Sequence, residues 1–395
     1  MNEQFGHLLV VDDNEMNLDL LSRRLIRRGH TVETAEGGQQ ALDRIAAESF
    51  DVVLLDIMMP EIDGIEVLQR LRIEHSASEL PVIMATAKTE SEDVVAALRL
   101  GANDYVTKPL DFPVVFARVQ TQLMLKRAQD ALRAAHQRME RDLLAAGRAQ
   151  RNLLPSAPPE IPGVSFAWHY QPCDELGGDS LGVLALNDHC VATYVIDVCG
   201  HGVRSSLLSV AMTHTLSRQA DPSSIITLPG TSGGFEAVDP ASVAERLSQL
   251  FPMADNDMLY STLAYGILDS RKREFRFVSA AHPAPLLVRR NEVAKYVGES
   301  GLPIGMSFDE GPPYESACLE LTTGDRIFLY SDALIEVRNE AGEEFGSERF
   351  AAVLQESCAA PLEESIRVAT ASALAWGGSD SFRDDVSIVA FELNE

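Results

Sequence analysis

The sequence predicts two domains joined by a long helix. Residues 1–123 are expected to form an α/β doubly wound, parallel five-stranded sheet, and residues 155–395 an α+β two-sheet sandwich flanked by helices. Three observations carry this reading. Five continuous apolar runs alternate with amphipathic stretches before residue 123. Residues 118–154 then run without proline in a heptad pattern. Beyond them, strand-like runs outnumber helical ones and no longer alternate strictly.

In the first domain the expected strands are HLLVVD (7–12), HTVETA (30–35), DVVLLD (51–56), PVIMATA (81–87) and DYVTKP (104–109). Between and after them, Leu18, Leu21 and Leu25, then Ala41, Leu42 and Ile45, then Val67, Leu68 and Leu71 recur at helical spacing, followed by Val94, Val95 and Leu98, and by Val115, Phe116 and Val119. Strands covered on both faces read as unbroken apolar runs, and intervening helices make the sheet parallel.

Residues 124–154 are read as a helical connector. Leu125, Leu132, Met139, Ala146 and Leu153 recur every seven residues, with Ala128, Ala135 and Ala149 at the companion position and Asp142 as a break. This pattern suggests a coiled coil between two copies of the chain, a homodimer; a solvated single helix is the plainer alternative. Residues 118–151 hold 8 Lys/Arg and 3 Asp/Glu, a local charge of +5 in a chain of net charge -26.

LLPSAPPEIPG (153–163) ends the helix, since proline lacks the N–H that a helix needs. After it come VSFAWHY, GVLALN, CVATYVID, STLAYGILD, EFRFVSAA, APLLVRR, DRIFLYSD and DVSIVAFEL as expected strands. Helices are expected from near Ser205, over 240–251 and over 361–376, and a long surface loop or partly disordered insert over 220–239. The acids near 340–348 read as a solvated face.

A net charge of -26 disfavours direct contact with nucleic acid or anionic lipid. No apolar run is long enough for a membrane span and no signal peptide is evident, so a cytoplasmic location is expected. The five cysteines are scattered and form no CxxC, as expected of reduced thiols.

In a doubly wound sheet, functional groups gather at the carboxyl ends of the strands. Asp12 and Asp13, Asp56, Thr86 and Lys108 all fall there. Clustered carboxylates repel one another unless a cation sits among them, and hard oxygen ligands suit Mg²⁺. This constellation resembles the response-regulator receiver family over residues 1–123. The resemblance implies that Asp56 is the phosphoacceptor and that Asp12, Asp13 and the backbone carbonyl of Met58 hold Mg²⁺. It implies that Thr86 and Lys108 bind the phosphoryl group, that Tyr105 switches with Thr86, and that the Lys108–Pro109 bond is cis. The implied partner is a sensor histidine kinase or phosphotransfer protein.

The second domain carries GGD (177–179), DVCGHG (197–202), SDA (331–333) and RDD (383–385) at expected strand ends. Four carboxylates delivered by separate strands could gather as a site for one or two divalent cations. These motifs, with AQRNLLP (149–155), SAAHPAPLLV (279–288) and GLPIGM (301–306), resemble the PP2C-type metal-dependent protein phosphatases, in their SpoIIE-like branch. The resemblance implies that Asp179, Asp197, Asp332 and Asp384 are ligands to two Mn²⁺ or Mg²⁺ ions, with the carbonyl of Val198 as a further ligand. A metal-bridging water held by Asp179 and Asp197 would attack a phosphoserine or phosphothreonine. Asp385 would support the ligands from behind. His201 and His282 lie in turn motifs, where a structural role is expected. Three departures stand out: Gly182 where the pattern supplies an Asp, and Ala333 and Ala281 where it supplies Gly.

Together these readings predict a phosphorelay response regulator whose Asp56 controls a serine/threonine phosphatase. The branch implies a phosphorylated anti-sigma-factor antagonist as substrate, with a sigma or anti-sigma factor as a further partner. The alternative is an RssB-type binding or adaptor protein for a stress sigma factor or its regulators, its second domain a pseudo-phosphatase.

Overall fold

The computed structural model describes residues 5–86, 91–200, 202–217, 224–230, 235–306 and 314–394, with side chains of 91–94 excepted. The chain divides into two compact units, Met1–Glu140 and Arg141–Glu395.

In the first unit, β1 (His7–Val11), α1 (Glu15–Arg27), β2 (Thr31–Ala35), α2 (Gly38–Ala47), β3 (Val52–Asp56), α3 (Gly64–Glu74), β4 (Val82–Thr86), α4 (Ser91–Arg99), β5 (Asp104–Thr107) and α5 (Phe112–Arg151) follow in order. The sheet runs β2-β1-β3-β4-β5 with every pairing parallel. β3 and β4 are buried along their whole length, which is why they read as unbroken apolar runs. Side chains alternate between faces: Leu9, Val11, Val53 and Leu55 enter one core, and Leu8, Val10, Val52 and Leu54 the other. Asn14 caps α1 by accepting the Met16 and Asn17 N–H groups, and Asp63 caps α3 through Glu66. The start of α5 packs by Val115, Val119 and Leu123.

The second unit contains β6 (Val164–Gln171), β7 (Ser180–Ala185), β8 (Cys190–Val198), α6 (Val203–Leu216), β9 (Thr227–Pro229), β10 (Phe235–Ala237), α7 (Pro240–Leu250), β11 (Ser261–Asp269) and β12 (Glu274–Ala280). There follow β13 (Leu286–Val288), β14 (Lys295–Tyr296), β15 (Ser300–Gly301), β16 (Ala317–Glu320), β17 (Arg326–Tyr330), α8 (Gly346–Glu356), α9 (Leu362–Gly377) and β18 (Val386–Leu393). One sheet runs β15-β12-β11-β8-β7, with β16 also on β12, and the other β14-β13-β17-β18-β6. The inner faces meet through Val191, Val195, Phe275, Ile327, Val389 and Phe391. Alternate residues face outward: Tyr194 and Ile196 under α6 and α7, and Ile388 and Ala390 under α8 and α9. Each large apolar side chain so buried contributes roughly 1.5–3 kcal/mol.

Two sequence expectations need correction. The stretch 220–239 is not only loop: β9 and β10 pair in it, and Ile225 and Ile226 are buried. Helix α8 begins at the acidic run and was not foreseen, because only Phe350 and Leu354 of its residues are buried, a thin signal.

Candidate functional site

In the first unit, parallel strands end at one edge, and the loops beyond them bring the predicted polar groups together. The Lys108 ammonium donates to Asp56 Oδ2 at 2.6 Å and to Asp12 Oδ2 at 2.9 Å. The carboxylate oxygens of Asp12, Asp13 and Asp56 lie within 4.8 Å of one another. Asp12, Asp56 and Thr86 are buried, whereas Asp13 faces solvent. Asp12 is further fixed by the Asn17 amide and the Asn14 N–H, contacts that sequence reading missed. Burial pushes the Asp56 carboxyl up, although Lys108 opposes the rise. Burial would lower Lys108, yet hydrogen bonds to Asp56 and Asp12 hold it above its ordinary range. Met58 is exposed and its N–H lies 3.4 Å from Asp56 Oδ1; Tyr105 is half-buried against the core on one face of the sheet. The Lys108–Pro109 bond is cis.

In the second unit, Asp179 stands just before β7, Asp197 and Val198 close β8, Asp332 opens a short 3-10 turn after β17, and Asp384 lies two residues before β18. β7 and β8 are paired, as are β17 and β18. Burial drives Asp179 well above the usual carboxylate range, with Asp197 and then Asp385 adding repulsion. Burial, then Asp332 and Asp384, pushes Asp197 up to about 7. Burial, then Glu336 and Asp384, pushes Asp332 up to about 6. The four aspartates therefore share one field. They do not close into a single group within 4.8 Å; among the described residues of this unit, Cys173, Asp384 and Asp385 do so. Cys173 was not foreseen, and burial beside Asp385 pushes its thiol up to about 12.

Asp385 works behind the others. It accepts the N–H groups of Cys173 at 2.8 Å, of Gly178, and of Asp179 at 3.2 Å. Glycines allow this approach: a Cβ at Gly177 would lie 2.3 Å from Tyr170 Oη and 2.9 Å from Asp385 Oδ2.

The three departures have separate explanations. A Cβ at Gly182 would lie 2.3 Å from Tyr194 Cε1, so the Tyr194 ring fills the space of any side chain there. Ala281 has φ 51, the left-handed region that glycine favours. Ala333 has no positive φ and is buried in the 3-10 turn, where alanine fits. His282 is buried and its Nδ1 is 2.7 Å from Thr262 Oγ1; burial pushes it down to about 3. His201 lies outside the described residues.

Both centres suit hard cations. Each offers carboxylates from several strand ends, and Asp179 Oδ2 is buried with no hydrogen-bond partner among the described residues. Carboxylates driven toward protonation by burial and mutual repulsion are relieved by a divalent ion among them.

Fold and site together define a response-regulator receiver followed by a PP2C-type phosphatase fold. The family model of the response regulator receiver domain matches residues 8–120, and that of stage II sporulation protein E (SpoIIE) matches residues 187–394. The chain belongs to the SpoIIE family and carries a receiver domain in its first part. It is 41% identical over 118 residues to the uncharacterized transcriptional regulatory protein YkoG of Bacillus subtilis, covering 30% of this chain and 51% of that one. It is 44% identical over 124 residues to the alkaline phosphatase synthesis transcriptional regulatory protein PhoP of the same organism, covering 31% and 50%. The chain thus spans about half the length of the curated relatives it matches, through the receiver. The SiaA-PP2C domain of Pseudomonas aeruginosa shares the fold of the second unit, with TM-score 0.55 and 23% identity over 66% of this chain and 99% of that one. Among the described residues, no helix is long and apolar enough to cross a membrane.

Proposed function

We propose that this protein is a phosphorelay response regulator in which phosphorylation of Asp56 controls a metal-dependent serine/threonine protein phosphatase. Residues 1–123 serve as receiver, 124–154 as connector and 155–395 as phosphatase. In the receiver, Asp12, Asp13 and the Met58 carbonyl hold Mg²⁺ and Asp56 accepts phosphate from a histidine kinase or phosphotransfer protein. Thr86 and Lys108 hold the phosphoryl oxygens, and Tyr105 moves with Thr86. In the phosphatase, Asp179, Asp197, Asp332, Asp384 and the Val198 carbonyl hold two Mn²⁺ or Mg²⁺ ions. When bound, such ions supply a water activated for attack on a phosphate ester and neutralise the charge that develops. The chain's part is to hold the carboxylates in place, with Asp385 setting the backbone of the Asp179 loop.

The observation that carries this reading is Asp179: a buried carboxylate with an oxygen left unpartnered among the described residues, beside Asp197. Among the described residues that oxygen has no hydrogen-bond partner, and a bound cation would balance its charge. The substrate class we infer is a phosphorylated anti-sigma-factor antagonist, so that this chain alters transcription without touching DNA, in keeping with its net charge of -26. The heptad residues Leu125, Leu132 and Met139 are all exposed, which supports pairing of α5 with a second copy.

The test is hydrolysis of para-nitrophenyl phosphate and of a phosphoserine protein by the full chain with Mn²⁺, against Asp332→Asn, with and without a small phosphodonor. Metal-dependent turnover lost in the variant is expected, and a phosphodonor is expected to change it. No turnover of either substrate, together with capture of a sigma factor, would favour the adaptor reading instead.

A further inference from the structure

Helix α5 is exposed over most of its second half, yet Gly147 and Gln150 are buried there. Gln150 spends its whole side-chain amide on one residue. Its Nε2 donates to the Gly177 carbonyl at 2.7 Å, and its Oε1 accepts the Gly177 N–H at 3.1 Å. One turn earlier, a Cβ at Gly147 would lie 2.0 Å from the Glu175 carbonyl oxygen, so only glycine lets the loop come this close to the helix. On its other side the same loop is held by Asp385, through Gly178 and Asp179. The segment 175–179 is pinched between the end of α5 and Asp385.

We propose that Gln150 is a positioning residue of the aspartate centre, holding the Asp179 loop in the register that binds cations. This rests on the phosphatase reading above. Glutamine is the residue that the geometry asks for. Asparagine is one methylene too short to keep both bonds, and glutamate cannot donate to the Gly177 carbonyl. Without the amide, a buried N–H and a buried C=O two residues from Asp179 lose their partners, and the loop must shift to find others. Because Gln150 sits in the last turn of α5, any rotation or slide of that turn pulls directly on the Asp179 backbone. The cation site thereby reads the state of the connector helix.

The experiment is Mn²⁺ binding by isothermal titration calorimetry on the full chain carrying Asp13→Asn, which removes a receiver ligand and leaves the second centre to be read. Gln150→Leu is expected to weaken Mn²⁺ binding by about ten- to a hundredfold, the scale on which partners behind metal ligands act. It is expected to raise the Mn²⁺ needed for half-maximal turnover by a similar factor while leaving kcat at saturating Mn²⁺ within about threefold. A merely structural glutamine would lower the unfolding temperature without moving the Mn²⁺ midpoint, and that result would overturn the proposal. Should Gln150→Leu fail to fold, Gln150→Glu keeps the shape and one hydrogen bond, with the same two outcomes. A parent chain that neither binds Mn²⁺ at this centre nor turns over substrate would sink the phosphatase reading itself, and this proposal with it.

Discussion

The Asp385 carboxylate accepts the backbone N–H of Asp179 at 3.2 Å, so the neighbour of one predicted cation ligand sets the main chain of another. The same carboxylate serves Cys173 and Gly178. Replacing it by alanine strands three donors, those of Gly178 and Asp179 buried and that of Cys173 part-buried. Each buried unpaired donor costs about 1–3 kcal/mol, so Asp385→Ala is expected to destabilise the second unit by about 3 kcal/mol or more. Asp385→Asn, which keeps an acceptor oxygen, is expected to cost less. Urea unfolding measures both, and equal losses would contradict the clamp.

Ala281 holds φ 51, where a Cβ crowds the following carbonyl. Ala281→Gly is expected to stabilise the protein by about 1 kcal/mol, the relief of strain exceeding the added freedom of the unfolded chain. A lower urea midpoint in the variant would show that alanine is not strained there.

Restoring an acid at position 182 is expected to harm the protein. A Cβ there meets the buried Tyr194 ring at 2.3 Å. Gly182→Asp adds a buried charge to that overlap, and a loss above about 2 kcal/mol is expected. Unchanged stability by thermal or urea unfolding would mean that the ring can move aside.

Stability without cations should fall as pH rises near neutrality. Burial, then Asp332, pushes Asp197 up to about 7, so the folded chain keeps a proton that the unfolded chain has lost. A group whose folded pKa is raised in this way withdraws stability as pH climbs through it. His282 acts oppositely: burial pushes it down to about 3, and its contribution is lost only as pH falls below the ordinary histidine range. Between about pH 6.5 and about pH 7.5 the aspartate effect is therefore the one that remains of the two. In chelator the melting temperature is expected to drop across that interval, and saturating Mn²⁺ to abolish the drop. A rise in chelator would exclude this carboxylate as the cause.

In the receiver, Asp56→Asn is expected to abolish phosphate incorporation from a small phosphodonor, read by mass spectrometry of the intact chain. Lys108→Ala should slow incorporation while leaving Asp56 its acceptor, since the ammonium 2.6 Å from Asp56 Oδ2 is placed to meet a phosphoryl oxygen. Full incorporation in Asp56→Asn would move the phosphoacceptor elsewhere.

The sequence by itself determined the parallel sheet, because strands buried on both faces must be apolar throughout, and so β3 and β4 could be read directly. It also placed Asp12, Asp56 and Lys108 at one edge, since parallel strands present the same end. What it could not place were relationships between residues far apart in the chain. Gln150 on Gly177, Asp385 on Asp179, Cys173 beside Asp384, and Tyr194 over Gly182 leave no periodic trace. Nor was α8 legible, whose buried face amounts to Phe350 and Leu354. Periodicity reports which face of an element is covered. Only the tertiary structure decides what covers it, because close approach, an unpartnered oxygen and a raised carboxyl arise from packing between segments that the sequence separates.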